Sequence, residues 1–397
     1  MIAPKLALNF LTATLDPRIT FARSGNTATR INNFGYIETV NSNIARFDFD
    51  PITLLCKGLL IEEQRQNVVT YSNDFRVSWS FSNSSINANN FTGPDNSQTA
   101  QKLVCGTAIN STSLFTKTQA ATIGVTYTCT VIAKAGEHGT IRVRMGASQI
   151  VSTYFNLVTG IVQAGSGTIK RLANGYYACS VTATATAAEV NPYVYTYPTG
   201  TTGAYTGNGV DGLYVWNVQI EPGAFPTSTI LTGNSSATRN ADVATITGGN
   251  FSSFWYSTRG GALVRALPST VSGTCPLVQF DDGTANEIIA LRGNTTNPEL
   301  YIVDGGAPQA QIDAGTIAAN TPYSLTGWWQ QNFCAARLDA GTRVEDSSAT
   351  IPTVTQMRIG SDGTNYLNGH IARINYYDQF SGQIYTRRKN KAVFSVI

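Results

Sequence analysis

The chain has 397 residues, of which 13% are charged, and Lys+Arg 27 against Asp+Glu 24 leaves a net charge of +3. An ordinary soluble domain is about 25% charged; so little charge, with 42% hydrophobic and 10% aromatic residues, excludes disorder, and the scarcity of Glu, Lys and Arg excludes a coiled coil. Such a balance also argues against binding nucleic acid, which needs cations in excess to neutralise phosphates, and the length favours two to three domains.

The opening stretch, MIAPKLALNFLTATLDPR, carries one early Lys and a short apolar run interrupted by Asn9 and Thr12. It reads as a folded strand rather than a signal peptide. No window approaches the ~18 apolar residues of a membrane span, so a soluble protein made in a cytoplasm, without membrane insertion, is expected. Residues 1–70 form a turn-rich N-terminal region, with turns at Ser24-Gly25-Asn26 and Asn32-Asn33-Phe34-Gly35 and a closing GLLIEEQRQN. Residues 71–247 hold strand-like runs at 124–135, 139–147, 177–186, 191–198 and 212–223, rich in Val, Ile, Thr and Tyr and bounded by Gly, Asn or Pro. This is the pattern of short strands joined by turns. The polar, Gly-rich segment 232–250 reads as a connector. Residues 248–385 carry a second set, from GALVRAL (261–267) to HIARINYYD (370–378). The best helix candidate is 381–394, within which Arg387, Arg388, Lys389 and Lys391 mark a basic C-terminal tail, 386–397. The reading is an all-β chain with two β-sandwiches.

The chemistry-bearing residues are sparse. His138 and His370 are the two histidines, and no G-x-S-x-G elbow accompanies them. Six cysteines at widely spaced positions lack the close pairs that zinc needs and read as buried free thiols. No metal or cofactor is expected. The doublets Glu62-Glu63, Asp281-Asp282 and Glu345-Asp346 cannot form a hydrolytic pair by themselves, because adjacent strand residues point to opposite faces. They read as solvated turns or strand ends. The sequences DDG (281–283) and SDG (361–363) read as tight turns. Aromatics remain: 18 Tyr, 17 Phe and 5 Trp. Tyr193, Tyr195 and Tyr197 alternate and share one strand face, and Trp328 and Trp329 are adjacent. These five are the candidate glycan contacts, since sugar rings stack on aromatic faces while polar groups hold the hydroxyls. The alternative is that they fill sandwich cores or a subunit interface.

LDPRITFARSGNTATRINNFG, then IARFDFDP and GLLIEEQRQNVVTYSNDF ahead of Trp79, resemble the opening of a family of tailed-bacteriophage virion proteins. LYVWNVQIEPGAFPTSTI with the Thr-Arg-Asn-Ala-Asp connector (238–242) resembles the closing strand of that family's carbohydrate-binding-module-like jelly roll. LNGHIARINYYDQF resembles the last strand of its concanavalin A/laminin G-like sandwich. The resemblance implies a jelly roll over 71–247, a lectin-like sandwich over 248–385 and a tail, tail-fibre or head-decoration role on the virion surface. It implies other virion proteins as partners, contact with host glycans and no enzymatic activity. The chain departs from the pattern at Trp328-Trp329-Gln330-Gln331 and lacks a long shaft, which favours a compact decorating or connecting protein. The N-terminal region is the expected anchor, with Arg18, Arg23, Arg30 and Arg46 pairing with a neighbour's carboxylates. A symmetric homo-oligomer, a trimer foremost, is expected. The alternatives are a host-polysaccharide adhesin and a capsule depolymerase.

Overall fold

The computed structural model describes residues 3–25, 27–109, 111–146 and 150–379, with the side chains of 88–90 excepted. The C-terminal helix and basic tail expected beyond 380 lie outside the described residues. Within them the chain is all-β and builds two sandwiches.

The jelly-roll region is contiguous in sequence. One six-stranded sheet places Thr126–Lys134 between Tyr177–Thr184 and Gly212–Pro222, with Thr168–Arg171 at one edge and Ser84–Phe91 at the other. The facing six-stranded sheet centres on Thr140–Met145 and Pro192–Tyr197. Alternation explains the packing. In TYTCTV, Tyr127, Cys129 and Val131 enter the core, while Thr126, Thr128 and Thr130 face outward.

The second sandwich is assembled from both ends of the chain. Its eight-stranded sheet pairs Gly369–Tyr377 with Arg259–Pro268 on one side and with Cys56–Ile61 on the other, and Leu6–Asn9 also pairs with Gly369–Tyr377. Thr20–Ala22 joins the opposing seven-stranded sheet beside Val243–Thr247. The first seventy residues thus supply strands to this sandwich. The cause is their apolar alternation: Leu6, Leu8, Phe10, Leu59 and Ile61 all enter its core, each contributing about 1.5–3 kcal/mol on full burial. Gly58 permits the close pairing. Its φ is +109°, and a Cβ there would stand 2.1 Å from the Ile371 carbonyl oxygen. The segment read as a connector, 232–250, also contributes strands, Ala237–Arg239 and Val243–Thr247.

A hairpin, Ala28–Ile31 with Ile37–Val40, leaves the second sandwich and leans on the jelly roll. Ile31 and Ile37 pack there with Ile132, Leu172, Tyr176 and Trp216 in a small separate core. All six cysteines are free, five of them buried.

Candidate functional site

The N-terminal region and the segment 228–242 meet on a buried ionic cluster. Asp242 receives Arg23 Nη1 at 3.1 Å and also pairs with Arg46. Glu62 receives Arg46 Nη1 at 2.8 Å and Arg239 Nη1 at 3.2 Å. The Ser228 amide and hydroxyl donate to Glu62 at 2.8 and 2.7 Å. Burial by itself would raise the Glu62 carboxyl, but Arg239 and Arg46 outweigh it and hold it at about 2. Burial would likewise loosen the Arg46 proton; Asp242 and Glu62 reverse this and bind it more firmly than usual. Gly223 belongs to the same junction, where a Cβ would stand 1.2 Å from Arg65 Nη1. The segments GLLIEEQRQN and TRNAD therefore meet in space, as Glu62, Arg65, Arg239 and Asp242.

Beside this junction lies a cleft of about 770 Å³ between the jelly roll, the N-terminal hairpin, the loop 224–229 and the second sandwich. That is the size of a small-ligand site, and domain interfaces are where such sites concentrate. One wall is the outward face of the jelly-roll sheet. Cross-strand hydroxyl pairs run along it: Thr126 with Thr184 at 2.9 Å, Thr128 with Thr182 at 2.8 Å and Thr130 with Ser180 at 2.8 Å. Thr130, Ser180, Thr182 and Thr168 line the cleft, as do the apolar Ile31, Ile132 and Leu172. Phe225, under the Arg65 guanidinium at 4.6 Å, lines the loop side.

The second sandwich contributes Asp48 and His370. His370 Nε2 lies 2.9 Å from Asp48 Oδ2, and Lys57 Nζ lies 3.6 Å from the same oxygen. Burial would raise the Asp48 carboxyl; Lys57 and His370 overcome this and keep it well below the usual range. Burial pushes the His370 imidazolium down, against the pull of Asp48. His370 Nδ1 is buried without a hydrogen-bond partner. Lys170, on the edge strand Thr168–Arg171, stands exposed in the cleft. The like charge of Lys57 lowers its ammonium from the usual lysine range, against the pull of Asp48, Glu62 and Asp50.

The aromatic candidates fall elsewhere. Tyr193, Tyr195 and Tyr197 do share one strand face, as alternation requires, and Tyr195 stacks on Tyr197 at 6.2 Å. Tyr195 and Tyr197 are buried, and guanidiniums cover this face: Arg144 lies 4.3 Å over Tyr193 and Arg142 4.8 Å over Tyr195. Trp328 is 1% and Trp329 0% exposed. Trp329 packs in the second core against Trp255, Phe280 and Tyr376. Burial corrects the glycan-contact expectation for Tyr195, Tyr197, Trp328 and Trp329, since none presents a ring face to solvent. The four arginines divide as well. Arg18 pairs with Asp16 at 2.7 Å near the surface, and Arg30 pairs with Glu38 at 2.5 Å at the cleft rim. Arg23 and Arg46 are buried in the junction, which corrects their reading as contacts to a neighbour. Glu62 and Asp281 are not solvated strand ends: both are buried, and Asp281 receives Arg358 Nε at 2.9 Å. His138 is buried against Thr196 at 2.8 Å, in the jelly roll, apart from His370 in the second sandwich. Sequence reasoning missed Lys170, Ser180 and Thr130 as cleft residues; their one signal is Thr and Ser at alternate outward strand positions.

No protein-family model matches the chain, and no curated protein matches it. Among solved structures it is similar to the mouse laminin alpha1 chain, domains LG4-5, with 11% identity over 68% of this chain and 85% of that one, at a TM-score of 0.24. It is similar to the LG1-3 region of the laminin alpha2 chain, with 11% identity over 66% and 63%, at 0.25. The full extracellular region of zebrafish Gpr126/Adgrg6 is also similar, with 11% identity over 70% of this chain and 35% of that one, at 0.25. Likeness this distant assigns no function to the chain.

Proposed function

We propose that the chain is a non-enzymatic surface component of a tailed-bacteriophage particle that holds a host or environmental glycan in the cleft between its sandwiches. The observation that carries the glycan reading is the composition of that cleft, in which the hydroxyl residues Thr130, Thr168, Ser180 and Thr182 line it beside the apolar Ile31, Ile132 and Leu172 at a domain junction. Sugars present the same mixture of hydroxyl edges and apolar C–H faces. The particle reading rests on the resemblance of the N-terminal, jelly-roll and closing-strand segments to virion proteins. Its contact surface is the N-terminal region, where Phe34, Ile52, Leu54 and Leu55 stay exposed; exposed apolar side chains grouped on one region suit a protein contact.

The absence of hydrolysis in this reading is supported by the carboxylates of the cleft. Glycoside hydrolysis needs one carboxylic acid kept protonated, whereas Asp48 and Glu62 are both held low by cationic partners. The test is a glycan array probed with the full chain, read beside an assay for new reducing ends and immunogold labelling of intact particles. Array binding, no reducing ends and label on the particle surface are expected. Reducing-end release from a bound polysaccharide would make the protein a depolymerase, and absence from particles would refute the virion role.

A further inference from the structure

We infer that the cleft selects an acidic saccharide, with the sugar carboxylate set against Lys170; this rests on the reading that a glycan occupies the cleft. The register of the jelly-roll sheet builds the surface. Thr130 lies opposite Ser180 and Ser180 opposite Thr168, which makes one rung of hydroxyls across three strands. The next outward rung is Ile132, Ala178 and Lys170. Strands stand ~4.8 Å apart and alternate residues ~6.6 Å apart, so these two rungs span roughly one pyranose ring. Ala178, the small member of the second rung, leaves room between Ile132 and the lysine. Thr130, Ser180 and Ile132 are nearly buried, so a ring lying there meets the exposed Thr168 hydroxyl, the half-buried Ala178 and, at the far corner, the Lys170 ammonium.

The charge at that corner is singular. Arg30 is paired with Glu38, Asp48 with His370 and Lys57, and Glu62 with Arg46 and Arg239. Among the described residues the Lys170 side chain makes no hydrogen bond or ion pair, and it is the one charged group of the lining left without a partner. One lysine matches the single negative charge of a uronate or sialate. A phosphate dianion would leave uncompensated charge near Asp48, Glu62 and Asp50, the acidic groups that already act on Lys170. His370, 6% exposed, lines the opposite wall with its Nε2 already paired to Asp48.

A bound carboxylate favours the charged lysine. Lys57 lowers the free ammonium, against Asp48, Glu62 and Asp50, with His370 across the cleft. Binding therefore takes up a proton wherever the free lysine is neutral, so affinity is flat while the lysine is charged and falls as the pH rises through its lowered pKa.

The experiment is isothermal titration of the full chain with oligosaccharides of glucuronic, galacturonic and sialic acid, each beside its methyl ester, with neutral oligosaccharides and inorganic phosphate as separate arms. The expected result is at least one acid that binds roughly tenfold or more tighter than its ester, as losing a charge-assisted contact implies. Lys170→Met should erase that preference while the ester still binds, and Lys170→Arg should largely keep it. Lys170 is an exposed edge-strand residue, and circular dichroism of both variants verifies the fold. Acid and ester binding alike would overturn the acidic preference and leave the glycan reading standing. So would neutral sugars binding where no acid does, or phosphate binding as tightly as the best acid. No binding by any sugar of the panel would overturn both.

Discussion

The two sandwiches solve the same packing problem with different stretches of chain. The jelly roll closes within residues 80–222, so every strand finds its partners inside that one stretch. The second sandwich needs residues 6–61 to find strands beyond 243, as when Leu6 pairs with Tyr376 and Leu59 with Ile371. Closing such long loops costs entropy before any contact is gained. The buried Arg23–Asp242–Arg46–Glu62–Arg239 cluster sits where that closure happens. The lesson is that the junction, more than either core, fixes how the two sandwiches face each other, and with them the cleft.

The sharpest way to break this contrast is Asp242→Ala. It leaves the buried Arg23 guanidinium without a carboxylate and takes one of two from Arg46, at a cost of about 3–5 kcal/mol. Hydrogen exchange should show Cys56–Ile61 and Gly369–Tyr377 losing protection while Thr126–Lys134 keeps it; equal loss in both would deny that the junction serves the second sandwich. Leu59→Ala comes next, at about 2–5 kcal/mol for a core truncation, again with the second sandwich unfolding first in denaturant. Acid should separate the sandwiches too. Glu62 is depressed from 4.5 to about 2 in the folded chain, so its stabilisation is full above the unfolded value and is lost as pH falls from about 4.5 towards 2. A pH series of thermal melts is expected to show the second sandwich weakening across that window, and a jelly roll that weakens first would contradict the assignment. The smallest effect is Thr126→Val, which breaks one exposed hydroxyl pair with Thr184. It should move jelly-roll stability by no more than about 0.5 kcal/mol, as read by chemical denaturation.

Strand alternation made much of this fold readable in advance. The runs at 124–135, 177–186 and 212–223 became jelly-roll strands because period-2 patterning states which side chains go inward. Nothing local in LALN or GLLI says that their partner is a strand some three hundred residues away. The arginines failed for a related reason: Arg23 and Arg46 look like surface charges until Asp242 and Glu62 are brought beside them. The tyrosine ladder was readable as one face, but its cover of Arg142 and Arg144 comes from a neighbouring strand. The cleft depends on four separate segments, so only its Thr and Ser alternation was visible beforehand.

The most direct measurement is the hydrogen-exchange footprint of the tightest glycan found on an array, taken on the full chain. Occupancy of the cleft predicts slowed exchange in 128–132, 166–172 and 224–229, with the tyrosine strand Pro192–Tyr197 unchanged. Slowing confined to Pro192–Tyr197 or to the rims of the second sandwich would place the sugar elsewhere and contradict the account.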